Sequence, residues 1–221
     1  MAPKTAEKDR PSPATDKGEA TRRHILDAAA RAFAEHGFSG ISLNDIVRVS
    51  GLTKGAFYFH FPSKEALALA VFRDRQERWV GQTMAAVMRC PRAIDQLEAM
   101  LDVGCDIHEN DDSARAISRL CQEWSSQEDL APHSRSHLTT WFDITTQLIV
   151  RAQEEGDVRP EIDARVTAET ICSAFIGIQE VSAAMSGLKD FRARIEGLRT
   201  LTLTAIRTPE KKRLTKAEAR R

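Results

Sequence analysis

An all-α fold is predicted by three features of this sequence. Apolar residues recur every three or four positions along most of the chain, and no segment alternates apolar and polar residues in the two-residue rhythm of a strand. Ala, Leu, Glu and Arg are abundant, while the 221 residues include only 11 Gly and 8 Pro. A charged fraction of 29% beside 42% hydrophobic residues suits a globular chain of one or two domains. The longest apolar run, residues 66–72, falls far short of the ~20 residues that cross a bilayer, so no membrane span is expected.

Residues 1–20 are rich in Pro and charge and lack an apolar segment, which predicts a disordered tail rather than an export signal, and hence a cytoplasmic protein. The four cysteines, Cys90, Cys105, Cys121 and Cys172, form no CxxC pair and read as small core residues in a reducing compartment. A first helix is predicted from Thr21 as N-cap, through Ile25, Ala29, Phe33 and His36, to a stop at Gly37. A second starts at Ser42, with Asp45 three residues on and Leu43, Ile46 and Val47 facing inward, and ends at Ser50 and Gly51. A third follows at once from Thr53 to His60, so the two short helices form a helix-turn-helix. Pro62 ends it and Ser63 caps a long helix to about Cys90. That helix has two apolar faces, Leu67, Ala70 and Val71 on one and Leu69, Phe72, Gln76 and Trp79 on the other, as expected of a helix joining two packing units. Further helices are predicted at residues 92–108, 112–126, 134–155, 163–186 and 189–207. The organisation expected is a tail (1–20), a three-helix head (21–75), a helical body (76–207) and a basic tail (208–221).

A formal net charge of zero hides an uneven distribution. Residues 1–80 carry 13 Lys+Arg against 10 Asp+Glu, residues 81–206 carry 12 against 20, and residues 207–221 carry 7 against 2. The pattern separates a mildly basic front from an acidic body, so a polyanion is drawn to one end only. The helix-turn-helix supplies groups suited to one. Lys54 in the first turn of the third helix can reach a guanine edge or a phosphate, and Gly55 permits close backbone approach. The Thr53 hydroxyl and the free amides at the helix start suit a phosphate, as do Ser42, Tyr58, His60 and Lys64. The alternative is a plain structural helix pair in which Phe57, Phe59 and Phe61 are all core.

The run of residues 21–72 resembles the N-terminal DNA-binding domain of TetR-type transcriptional repressors. It carries Gly37-Phe38 after the first helix, the Ile46 to Gly51 turn, the Lys54-Gly55 pair, and Tyr58, His60, Phe61, Lys64 and Leu67. The resemblance implies a non-enzymatic, all-helical homodimer without cofactor. Its heads would bind a palindromic double-stranded DNA operator, while the C-terminal domain encloses a small-molecule effector and forms the dimer interface. Within the family, the stretch KGAFYFHFPSKEALALAVF is most similar to the γ-butyrolactone and furan autoregulator receptors, which control antibiotic biosynthesis. That subgroup carries a pocket tryptophan on the helix after a Pro-containing loop, and Trp141 follows Pro132 in this way. A second possibility within the family is a sensor of apolar or cationic drugs that controls an efflux gene.

The predicted helix at 134–155 aligns His137, Trp141, Thr145 and Leu148 on one stripe, which suits either a mostly apolar ligand cavity or an ordinary core. Trp141, Thr145, Leu148, Trp124 and Gln147 are the candidate ligand residues, and the stripe's lack of charge favours a neutral ligand. Ala174, Gly177, Ile178 and Val181, with Leu198 and Leu201 on the last helix, can form either a dimer interface or an internal core pair. Asp106, His108, Glu109, Asp111 and Asp112 lack the spacing of a calcium or zinc site and read as a solvated loop, so no metal is expected. Neither a GxSxG nucleophile motif nor a glycine-rich phosphate loop is present.

Overall fold

Hydroxyl caps and left-handed glycines divide the chain into helices close to the predicted positions. The computed structural model describes residues 13–111 and 113–209, and among them it contains nine α-helices. They are α1 (Pro13–His36), α2 (Leu43–Ser50), α3 (Lys54–His60), α4 (Lys64–Val87), α5 (Ala93–Asn110), α6 (Ala116–Trp124), α7 (Ala131–Glu154), α8 (Ala164–Ser186) and α9 (Phe191–Ile206). Residues 1–12, most of the expected tail, and residues 210–221 of the basic tail lie outside the described residues.

Helix starts differ most from expectation at α1, α6 and α7. Helix α1 begins at Pro13, two turns before the predicted cap. Thr21 lies inside it and donates its hydroxyl back to the Lys17 carbonyl at 2.9 Å. Pro is suited to a first helical position, and Ala14, Lys17, Glu19 and Ala20 are good helix formers, so the stretch read as tail continues the helix. Helix α6 starts at Ala116 rather than 112, after a turn at 113–115. Helix α7 starts at Ala131, so Pro132 sits in its first turn, not in the preceding loop.

The head core gathers Ile25, Ala29 and Phe33 of α1, Ile46 and Val47 of α2, Phe57 of α3 and Leu67 and Val71 of α4. It also takes Ala116, Leu120 and Trp124 of α6. A division at residue 75 therefore separates α6 from a core it helps to build. A second core joins α5, α7, α8 and α9 through Leu97, Leu101, Ile149, Ile171, Phe191 and Ile195. Within it, α5 gives up a side chain at Gly104: a Cβ there would lie 2.5 Å from Cζ of Phe175, whose ring fills the space. The Arg159 amide donates to the Ile206 carbonyl at 2.9 Å and fastens the end of α9 to the α7–α8 loop.

The turn between α2 and α3 depends on Gly51, whose φ of +70° lies in the left-handed region and whose amide closes on the Arg48 carbonyl at 3.2 Å. A Cβ there meets nothing within 4 Å, so the backbone conformation alone demands glycine. Gly51→Ala is expected to cost about 1–2 kcal/mol and Gly51→Asn about half as much, read as urea midpoint shifts at unchanged slope.

Candidate functional site

The capping residues of the helix-turn-helix fix its outer face. Ser42 Oγ accepts from the Asp45 amide at 3.1 Å and donates to the Asp45 carboxylate at 2.5 Å. That side-chain hydrogen bond, with the Ser42 backbone interaction and the Arg48 and His36 charges, holds the Asp45 carboxyl below its ordinary range against a smaller effect of burial. The Ser42 proton is thus spent within the chain, and a carboxylate stands beside it, which weakens Ser42 as a phosphate ligand. Thr53 Oγ1 accepts from the Ala56 amide at 3.3 Å and keeps its own proton for an outside acceptor. His24 Nε2 donates to the Ser50 carbonyl at 2.7 Å and ties the end of α2 to α1.

Phe57 and Phe61 anchor α3 from beneath. Lys54, Gly55 and Tyr58 are exposed and His60 is half-buried. A Cβ at Gly55 meets nothing within 4 Å, so no internal contact requires glycine there. Lys64 lays its ammonium over the Phe38 ring, 4.4 Å from the centroid, and is half-buried. Phe59 departs from the reading that all three phenylalanines are core. It is 85% exposed and meets the His60 ring edge to face at 5.2 Å. It follows Phe57 by two residues, about 200° round the helix, and so adds an apolar group to the outer face.

A carboxylate seats the end of α6 on the turn after α1. Glu123, near the end of α6, accepts the amides of Phe38 and Ser39, each at 2.7 Å. Burial raises its pKa, but the hydrogen bonds from Ser39 and Phe38 and the Arg119 charge outweigh that and hold it below the ordinary range. Gly37 allows this approach twice over. Its φ is +74°, and a Cβ there would lie 2.0 Å from Glu123 Oε1. Trp124 packs between Phe38, which it meets edge to face, and Phe72, with ring centroids 6.3 and 5.2 Å away. Arg75 of α4 bonds Asp27 of α1 at 2.5 Å and reaches Asp111 at 3.7 Å, adding an ionic seam beside the joint.

A cavity of about 110 Å³ lies between α4, α5, α6, α7 and α8. Trp79 and Trp141 meet edge to face in its wall, and Ile171 and Phe175 line it from α8. Among the described residues the lining carries no Lys, Arg, Asp or Glu. Its polar groups are His108, Ser118, His137, Thr145 and Gln179. Burial drives the His137 pKa down to about 4, so this ring is neutral near pH 7. Desolvation also lowers His108, against the hydrogen bond to the Gly104 carbonyl that favours its charged form.

Of the ligand residues proposed from sequence, Trp141 and Thr145 line this cavity, and Thr145 Oγ1 contacts Cys172 Sγ at 3.5 Å. The other three stand elsewhere. Trp124 is fully buried in the head core because α6 turns that face towards α1 and α4. Gln147, two residues past Thr145, is exposed on the far side of α7. Leu148 is buried beside Val87, Met100 and Trp141, behind the cavity wall. Sequence reasoning missed Trp79, Ser118 and Gln179, and assigned His108 to a solvated loop. The first three sit at helical spacings that mark them only as inward-facing. In the acidic segment itself, Asp106 and Glu109 both hold Arg192, at 2.7 and 2.5 Å.

Helices α8 and α9 present an apolar strip outward. Val181, Met185 and Leu201 are 49%, 75% and 73% exposed, with Gly177 beside them and Ala174 half-buried. Ile178 and Leu198, also expected there, turn instead towards the internal core.

A three-helix head with an outward helix-turn-helix, carried on a helical body with a mostly apolar cavity, defines a two-domain regulatory protein. The sequence profile of the tetR family of bacterial regulatory proteins matches residues 25–71, and the chain belongs to this family. Among its relatives is the A-factor receptor protein of Streptomyces griseus, 33% identical over 192 residues. That match covers 86% of this chain and 64% of the receptor, so the chain spans about two-thirds of that relative's length. A solved structure concerned with control of antibiotic production by bacterial hormones is 32% identical with a TM-score of 0.74, covering 86% of this chain and 98% of that one. TylP, a tetR regulator from Streptomyces fradiae, is 29% identical with a TM-score of 0.68, covering 88% and 90%.

Two outcomes follow from this geometry. Glu123→Ala and Gly37→Ala are each expected to destabilise the protein by about 1–3 kcal/mol, and the double variant by clearly less than their sum, because each breaks the same joint. Denaturant melts of the four proteins read this coupling. Separately, the folded-state His137 pKa lies below the unfolded value near 6.5. Its neutral ring therefore stabilises the fold above that pH, and the contribution is lost as pH falls towards 4. Between pH 7 and pH 5 this ring is expected to cost the protein about 2 kcal/mol that a His137→Phe variant keeps, measured as the difference between their stability profiles.

Proposed function

We propose that this chain is a cytoplasmic transcriptional repressor that binds a palindromic operator as a homodimer. It is released when a small neutral molecule of γ-butyrolactone or furan type fills the cavity, in control of antibiotic biosynthesis. The observation that carries this reading is the double duty of α6. Ile117 and Ser118 stand in the cavity wall, and Glu123 and Trp124, on the next turns, hold the head. An empty space of about 110 Å³ is of the order that takes a benzene. A ring with an alkyl chain is larger and must push a wall aside, and α6, nine residues long, is the shortest helix in that wall.

The operator is read by the outer face of α3. Lys54, Tyr58, His60 and the Thr53 hydroxyl contact DNA, Gly55 lets the backbone approach, and Lys64 adds a cation at the rim. The strip with Val181 and Leu201, joined by Gly177 and Ala174, pairs the two subunits, which sets two heads at half-sites one helical turn or a multiple apart. The likeness to the A-factor receptor and to the hormone-controlled structure supports the effector class. A cationic drug finds no carboxylate in the lining among the described residues, which disfavours the efflux-gene reading.

The test is a gel shift on DNA flanking the chain's own gene, with and without lactones and furans. Lys54→Ala is expected to weaken operator binding about tenfold or more and to reduce the salt slope by about one, with ligand binding unchanged. Trp141→Ala is expected to bind operator normally and to resist release. Equal operator affinity for Lys54→Ala and the parent, or normal release of Trp141→Ala, removes that residue from its role.

A further inference from the structure

One end of the cavity holds two buried polar atoms with nothing to bond. His108 Nδ1 lies 2.7 Å from the Gly104 carbonyl. A carbonyl only accepts, so Nδ1 carries the proton, and in the neutral ring Nε2 is a bare acceptor. That Nε2 is buried and unpartnered. Gln179, 1% exposed, accepts the Ser118 hydroxyl at Oε1, 2.8 Å away, while its Nε2 is buried with both hydrogens unpartnered. The two residues border the same region. The Phe175 ring stands 6.1 Å from that of His108, and Gln179 follows Phe175 by one turn on the same face of α8. Leaving such groups dry and unpaired costs each about 1–3 kcal/mol, which a fold retains where a ligand supplies the partners. Away from them the lining is mostly apolar, with His137 and Thr145 as its polar groups on α7. Leu97, Leu101 and Ile171 bound the other end, Ile171 being eight residues, or about 12 Å, back along α8.

We propose that this end is a head-group subsite for a neutral ligand bearing a hydroxyl beside a carbonyl. The hydroxyl donates to Nε2 of His108, the carbonyl accepts from Nε2 of Gln179, and an apolar chain runs towards Leu97, Leu101 and Ile171. The assignment rests on the cavity being the effector site. A purely apolar occupant would leave both atoms orphaned, and an ionised carboxylate would meet no cation in the lining among the described residues.

Three probes separate the two hydrogen bonds: an α-hydroxyalkyl γ-butyrolactone, the α-alkyl lactone lacking the hydroxyl, and the cyclic ether in which the lactone carbonyl is a methylene. Binding is read by tryptophan fluorescence, because Trp79 and Trp141 line the cavity. The parent protein is expected to bind the hydroxy-lactone about tenfold tighter than either analogue. His108→Phe is expected to lose only the preference for the hydroxyl, and Gln179→Met only the preference for the carbonyl. In the unsubstituted protein the nitrogen-15 resonance of His108 Nε2 should move with the hydroxy-lactone and not with the deoxy lactone, which keeps the test independent of how the variants fold. A variant that retains both preferences, or an Nε2 resonance that does not move, overturns the subsite. A parent protein that binds operator but none of the probes overturns the ligand class and leaves the repressor reading standing. One that shows this pattern without binding DNA does the reverse.

Discussion

The relation of head to body depends on the Glu123 carboxylate seated on the amides of Phe38 and Ser39. Hydrogen bonds from backbone amides to an ionised acceptor are short and directional, and here two of them hold one side chain. The seat exists because Gly37 takes a left-handed conformation and has no Cβ to block the carboxylate. A residue at the end of α1 thus decides where the end of α6 can sit. Helix α6 is a rigid rod of about 13 Å with its start in the cavity wall, so displacement at one end moves the other. The Trp124 ring between Phe38 and Phe72 makes the joint apolar as well as ionic, and a small shift there repacks the head core.

The head was legible because its determinants are local. Ser42 and Thr53 cap, Gly51 turns, and Phe57 and Phe61 point inward by simple helical spacing. The cavity was legible only along α7, where His137, Trp141 and Thr145 follow one another at four-residue steps. Gln147 lies off that line, since each residue turns the helix by about 100°, whereas Leu148 stays on the stripe but packs beside Val87 and Met100. Trp124 misled because apolar spacing says that a residue is buried and not against which partner. Residues such as Ser118 and Gln179 belong to the site through a contact between helices 61 positions apart, which no local pattern encodes. The start of α1 was missed for the opposite reason: Pro and charge suggest a tail, yet Pro opens helices readily, and Lys17 and Glu19 are exposed.

The cavity's energetics suit a switch. Its walls hold neutral histidines and an amide whose donors are unused, so the empty state carries a desolvation cost that a matched occupant removes. Only binding that differs between two arrangements of the head shifts their balance. Turning a 1:99 ratio into 99:1 takes about 5.5 kcal/mol, shared between two sites in a dimer. One or two well-made buried hydrogen bonds, together with the apolar area of a chain displacing α6, are of that order.

Charge placement explains why an anionic partner should meet the head and not the body. The body is the acidic part of the chain, and its arginines are largely committed: Arg192 to Asp106 and Glu109, Arg165 to Asp143 and Glu169, Arg199 to Asp102. Lys54 has no ion pair among the described residues and stands exposed at the start of α3, beside free amides that Thr53 only partly satisfies. A duplex approaching the body faces carboxylates and spent cations, whereas one approaching α3 finds an unshielded ammonium and amide dipoles aimed outward. With screening over roughly 10 Å at ordinary salt, that difference acts over about one helix diameter, which is enough to orient the encounter before any base is read.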